Sequence, residues 1–212
     1  RVLNTDQIIS YFSPNHVKSH NPLIILKTAA LGDTISFMPY ADEYAKRHGI
    51  ECDVVGNFGF LYQDLYPNVN PIQMPGDLSA YTDIICCDYI YDLPLQIGFA
   101  KQLGLADMGK VRPQLKTSGK PSPLNKKYVC FSSHSTAQAK HWNNNNSWEK
   151  LCEMLTKKGL VPVCIDRYYS FGNDGNWNEI PKNCMNKTGM DLTEMLHWIE
   201  HCEFFVGLSS GL

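Results

Sequence analysis

The 212 residues carry 19 Lys and Arg against 21 Asp and Glu, and this formal net charge of −2 excludes broad electrostatic capture of nucleic acid. Hydrophobic residues make up 43% of the chain, enough for a real core, and no run reaches the roughly 18 continuous apolar residues of a membrane span. The length suits about one and a half Rossmann-sized domains, so a cytoplasmic protein whose second domain is cut short is the expectation.

The first strong pattern is Pro22 to Lys27, a short apolar run that passes into Thr28-Ala29-Ala30-Leu31-Gly32-Asp33. Continuous apolarity in so short a run means burial on both faces, as in a parallel sheet covered by helices. Strands are predicted at Cys52–Val55, Pro71–Met74 and Thr82–Cys87, with a helix over Ala41–His48 among the intervening segments. This alternation describes βαβ units. The polar, proline-bearing stretch 116–127 is expected to be a linker between a first sheet-and-helix domain, 1–115, and a partial second one, 128–212. The second alternation opens with strand Tyr128–Ser132, a polar loop to Asn146, and a helix from Ser147 whose stripe is Trp148, Leu151, Cys152 and Leu155. Strand Val161–Ile165 follows. A helix begins at Asp191-Leu192-Thr193-Glu194, a capping box with Asp in the first place and a core stripe of Leu192, Met195, Leu196 and Ile199. Glu203–Gly207 reads as the next strand, and Ser209-Ser210-Gly211 as the start of another helix.

The eight cysteines sit in apolar runs such as Ile84-Ile85-Cys86-Cys87, with no CxxC pair, and read as buried reduced thiols. In the first loop, with Pro39 following, Asp33 is either a general base facing a ligand cleft or a helix N-cap. Ser132 to Trp142 gathers hydroxyls and Lys140 ahead of a helix. It suits a diphosphate, or is a solvated polar loop. The Gly207-Leu208-Ser209-Ser210-Gly211 turn could approach an anion closely, although such turns are common. His197-Trp198-Ile199-Glu200-His201 follows the H-x-x-E-H order of some zinc proteases. Its histidines are expected to face solvent, because the core stripe points elsewhere, and the 11 residues that follow His201 leave a downstream third ligand little room. Trp177, in polar glycine-rich surroundings, reads as loop packing rather than a sugar platform. Neither GxGxxG nor a Walker A sequence occurs.

Taken together, Leu31-Gly32-Asp33 with Pro39, Lys140-His141-Trp142 ahead of Ser147-Trp148, and Gly207–Leu212 resemble the bacterial ADP-heptose heptosyltransferases. The wording of the first and last segments is similar to the autotransporter protein O-heptosyltransferases, and the resemblance covers most of the chain. It implies a GT-B architecture of two Rossmann-like domains, the first for the acceptor and the second for the donor, and an inverting transfer from ADP-heptose to a hydroxyl, such as a serine of an autotransporter, with no cofactor required. It makes Asp33 the base, with Thr28, Gly32 and Thr34 in the cleft loop. Lys140, Ser132, Thr136, Trp142, Ser209, Ser210 and Gly211 become donor contacts. Asp33 and Lys140 are then expected to face each other across a shared crevice. The protein heptosyltransferases also have a cysteine-bound iron site and a multi-subunit ring, which makes a homo-oligomer an expectation here and places any iron ligands beyond residue 212. Where the lipopolysaccharide enzymes have D-T-G, this chain has Leu208-Ser209-Ser210-Gly211. The rival readings are a lipopolysaccharide-core or other nucleotide-sugar enzyme, and a non-catalytic sugar-nucleotide-binding module.

Overall fold

The structure, a computed structural model, describes residues 21–28, 30–135, 138–173 and 176–208. The chain divides into two compact units after Lys116. In the first, strands β1 (Leu23–Leu26), β2 (Cys52–Val55), β3 (Val69–Ile72) and β4 (Ile84–Cys87) form a parallel sheet in the order β3-β2-β1-β4. Helix α1 (Leu31–His48) buries Phe37, Met38, Tyr40, Ala41 and Ala45. Its Phe37 meets Phe99 of α2 (Leu95–Gln102) edge-on, ring centroids 4.9 Å apart. Gly49 ends α1 in the left-handed region, φ 65°, and the Ile50 N–H reaches back to the Ala45 carbonyl. Only glycine takes that conformation without a Cβ penalty.

Two expectations need correction in this unit. Gly32 and Asp33 belong to the first turn of α1 rather than to the preceding loop, because the helix starts at Leu31 and runs through Pro39. Pro39 lacks the N–H that would bond to the Ile35 carbonyl, but its ring is buried in the core. Strand β3 also lies two residues earlier than predicted. Helix α2 was not predicted.

In the second unit, β5 (Tyr128–Ser132), β6 (Val161–Cys164), β9 (Met185–Asn186) and β10 (Phe205–Gly207) form a parallel sheet in the order β10-β5-β6-β9. Strand β5 is buried throughout, and alternate residues serve opposite faces. Tyr128 and Cys130 pack with Met195 and Trp198 of α4 (Leu192–His201). Phe131 packs with Trp148 and Cys152 of α3 (Ser147–Lys157). This two-sided burial explains why the strand reads as an unbroken apolar run. Asp191 caps α4 by accepting the Glu194 N–H at 2.9 Å, as its capping-box position predicts. Trp198 rather than Leu196 completes the buried stripe. An antiparallel hairpin, β7 (Ser170–Asn173) and β8 (Asn176–Glu179), replaces the loop expected around Trp177. Cys52, Cys87, Cys130, Cys152 and Cys164 are buried as expected, whereas Cys86 is exposed. No helix among the described residues is long and apolar enough to cross a membrane.

Candidate functional site

In open parallel sheets, ligands bind beyond the carboxyl ends of the strands, at the point where the strand order reverses. The first unit has that point between β1 and β4, since β1, β2 and β3 progress one way and β4 returns to the other side of β1. Asp33 sits there. Its Oδ2 accepts the Thr28 hydroxyl at 2.7 Å and the Tyr89 hydroxyl, so groups following both strands converge on one carboxylate. The helix N-cap is Ala30, which sets aside the capping role for Asp33. Tyr89 was missed from the sequence. The hydrogen bond to Asp33 is the main cause of its raised phenol pKa, and the side chain is half exposed. Beside it, Lys27 and Asp88 form an ion pair at 3.3 Å. Among the described residues a Cβ on Gly32 would meet no atom within 4 Å, and the glycine is exposed. Thr34 does not line the opening. It is fully buried, and its hydroxyl donates to the Ala30 carbonyl at 3.0 Å.

The second unit repeats the arrangement. Its reversal lies between β5 and β10, where Ser132 is in register with Gly207. The organising group is one that sequence reasoning missed, Asp166, just past the end of β6 and 3% exposed. It accepts the Ser132 hydroxyl at 2.6 Å, the Ser133 N–H at 2.8 Å, the Ser133 hydroxyl at 2.7 Å and the His134 N–H at 3.2 Å. Ser132 is 2% exposed and gives its one hydroxyl proton to Asp166, so the part observed for it is in shaping the loop. A carboxylate following a buried strand was the available signal, but its partners come from a different strand.

The rest of the loop is held from the hairpin. The Asn178 amide donates to His141 Nδ1 at 2.6 Å, which leaves the ring proton on Nε2 to donate to the Ser135 carbonyl at 2.7 Å. Asn145 and Asn146 both take left-handed backbone angles, φ 49° and 54°, a conformation that asparagine tolerates better than most residues. This turn delivers Trp142 edge-on to Trp148, centroids 5.2 Å apart, while Trp148 stacks on Phe131. Trp142 stays 46% exposed and Lys140 is exposed at the end of a short 3-10 turn. Thr136, Ser209, Ser210 and Gly211 lie outside the described residues.

Burial pushes the His134 imidazole below its ordinary value near 6.5, against the opposing pull of Asp166. The unfolded chain therefore takes up this proton more readily than the folded one. The stability contributed here is present above the unfolded value and is lost as pH falls through it towards the lower folded value. Thermal melts between about pH 7 and 5 should fall less steeply for His134→Gln than for the parent.

Residues 89–212 match the family profile of Glycosyltransferase family 9 (heptosyltransferase). The match takes in the whole second unit and leaves Asp33 outside. Over 92% of its length the chain is 33% identical to the autotransporter heptosyltransferase Aah of Escherichia coli, covering 54% of that protein. In fold it is similar to the crystal structure of the bacterial iron-containing dodecameric glycosyltransferase TibC from enterotoxigenic E. coli H10407. The TM-score is 0.82 at 26% identity, over 92% of this chain and 55% of that one. The structure of TibC, there called a dodecameric iron-containing heptosyltransferase, in complex with ADP-D-beta-D-heptose gives a TM-score of 0.81 at 26% identity, with coverage of 92% and 55%. The chain spans about half the length of the curated relatives it matches.

Proposed function

We propose, because the chain belongs to glycosyltransferase family 9 (heptosyltransferase), that it transfers a heptose from ADP-heptose to a hydroxyl, with a serine of an autotransporter protein as acceptor. The observation that carries this reading is the partly exposed Asp33 carboxylate at the strand reversal of the first unit, tied to Thr28 and Tyr89. The autotransporter acceptor is supported by the description of Aah, and the donor by the ADP-heptose complex of TibC.

The reaction is a single in-line displacement. Both observed bonds reach Oδ2 of Asp33, so Oδ1 is the oxygen that takes the proton from the attacking hydroxyl. The new bond forms to the anomeric carbon as the bond to the diphosphate oxygen breaks on the opposite face, and the configuration inverts. The ammonium of Lys140 offsets charge growing on the departing ADP. Trp142 contributes an exposed indole face, and Thr136, Ser209, Ser210 and Gly211 complete the donor contacts. The transfer itself needs no metal. The cysteines provide no fit for an iron centre here, because the only cluster of three or more potential ligands among the described residues is His197, Glu200 and His201, with no cysteine in it. No step is routed through iron. A ring of copies, as TibC's description as dodecameric suggests, and a cytoplasmic site of action belong to the same proposal.

A thermal-shift panel of ADP-, GDP- and UDP-sugars tests the donor. ADP-heptose should raise the melting temperature most. A response to a UDP- or GDP-sugar with none to ADP-heptose would leave another nucleotide-sugar enzyme as the better reading.

A further inference from the structure

The histidines of the His197-Trp198-Ile199-Glu200-His201 segment do not project freely into solvent as the stripe argument predicts. Both are half-buried, and the segment just after Lys116 lies on them. Ser118 Oγ sits 2.6 Å from His197 Nδ1 and donates to Glu200 Oε2 at 3.0 Å. With that hydroxyl's single proton donated to Glu200, as the Oγ–Oε2 bond has it, His197 Nδ1–H is the donor in the short contact and Nε2 keeps a lone pair. His201 Nε2 lies 2.8 Å from the Lys120 carbonyl. A carbonyl only accepts, so this nitrogen carries the proton and Nδ1 keeps the lone pair. The Ser118 N–H also donates to Glu200 Oε2 at 3.0 Å, and that bond chiefly holds the Glu200 carboxyl below the usual carboxylate range.

Each ring thus has one N–H engaged by an oxygen and the other nitrogen available as a ligand, the second-shell pattern that fixes metal-binding histidines. One ligand atom from each of His197, Glu200 and His201 lies within 4.8 Å of the other two. A simple helix-to-segment tether needs the Ser118 and Lys120 contacts but does not need three donors to converge. The cluster also closes the carboxyl end of α4, where the helix dipole favours a cation.

We propose that His197, Glu200 and His201 form a binding site for a divalent first-row transition cation that pins the segment around Ser118 and Lys120 to α4. Two imidazoles and one carboxylate suit zinc-like ions, and water completes the shell. Tetrahedral ligands lie about 3.3 Å apart, so binding draws the three inward, chiefly by rotation of the exposed Glu200 side chain.

Titration of the metal-free chain with Zn²⁺ by calorimetry, and with Co²⁺ by absorption spectroscopy, tests the site. The expected result is a site lost in His197→Ala and His201→Ala, and weakened about tenfold in Ser118→Ala, with no thiolate-to-cobalt charge-transfer band. Glu200→Gln, on the exposed helix face, removes the carboxylate ligand without disturbing the core and should also weaken binding, with unchanged circular dichroism confirming the fold. Absence of binding, binding indifferent to both histidines, or a thiolate band would overturn the proposal.

Discussion

Asp33→Asn is expected to lower heptose transfer by about 10³-fold, the usual reach of a general base, while the affinity for ADP-heptose stays near that of the parent. The asparagine oxygen can still accept the Thr28 and Tyr89 hydroxyls that now reach Oδ2. The local fold is therefore kept and only proton acceptance is lost. The donor contacts are assigned to the second unit, so the loss should fall on kcat, with the donor KM little changed. Tyr89→Phe separates chemistry from support. It removes one hydrogen bond to the carboxylate but leaves the base, so a modest loss is expected. If Tyr89→Phe were as damaging as Asp33→Asn, Asp33 would matter as an anchor for Tyr89, not as the base.

The second large effect is on stability. Asp166→Ala should destabilise the chain by on the order of 3 kcal/mol, a fall in melting temperature of roughly 10 °C. The substitution leaves the Ser132 hydroxyl, both Ser133 donors and the His134 N–H buried without the acceptor they now share. An unmade bond at a buried donor costs its desolvation, and relaxation of the loop recovers only part of that cost. Asp166→Asn should fall between the two, because its amide oxygen can still accept while its NH₂ opposes donors. Donor affinity should drop together with stability, since the same carboxylate fixes the start of the loop that carries Lys140 and Trp142. Lys140→Ala provides the contrast. An exposed side chain contributes little to folding, so its effect should be confined to the donor. Calorimetric melts of the three variants, paired with ADP-heptose titrations, check the separation.

The sheets were legible because β1, β5 and β6 are short apolar runs buried on both faces, a pattern that few other structures produce. The β7–β8 hairpin was not, because Ser170–Glu179 is polar and glycine-bearing, and its strands pair only with each other. Helix α2 was hidden by its weak apolar periodicity behind Pro94. Trp198 displaced Leu196 from the expected stripe because helix position gives a face only approximately, while packing against Tyr128, ring centroids 5.2 Å apart, chooses the larger ring. Of the candidate residues, Asp33 in the first unit and Lys140 in the second were proposed from local motifs. Tyr89 and Asp166 were not, because each acquires its role from the strand that happens to lie beside it. The sequence lists strands in chain order, and the reversals beside β1 and β5 emerge only when the sheets assemble. For the same reason the acceptors of Ser132 and Thr34, the Asp166 carboxylate and the Ala30 carbonyl, were not legible: a hydroxyl's place in a motif says nothing about the acceptor waiting for it inside the fold.

The claim that Asp33 activates the acceptor is tested most directly by a structure of the protein carrying this chain, bound to a non-transferable ADP-heptose analogue and an acceptor peptide. An Asp33 carboxylate oxygen is expected at about 2.6–3.2 Å from the serine hydroxyl, with that hydroxyl opposite the diphosphate at the anomeric carbon. A serine placed by some other carboxylate, with Asp33 turned away from the bound sugar, would contradict it.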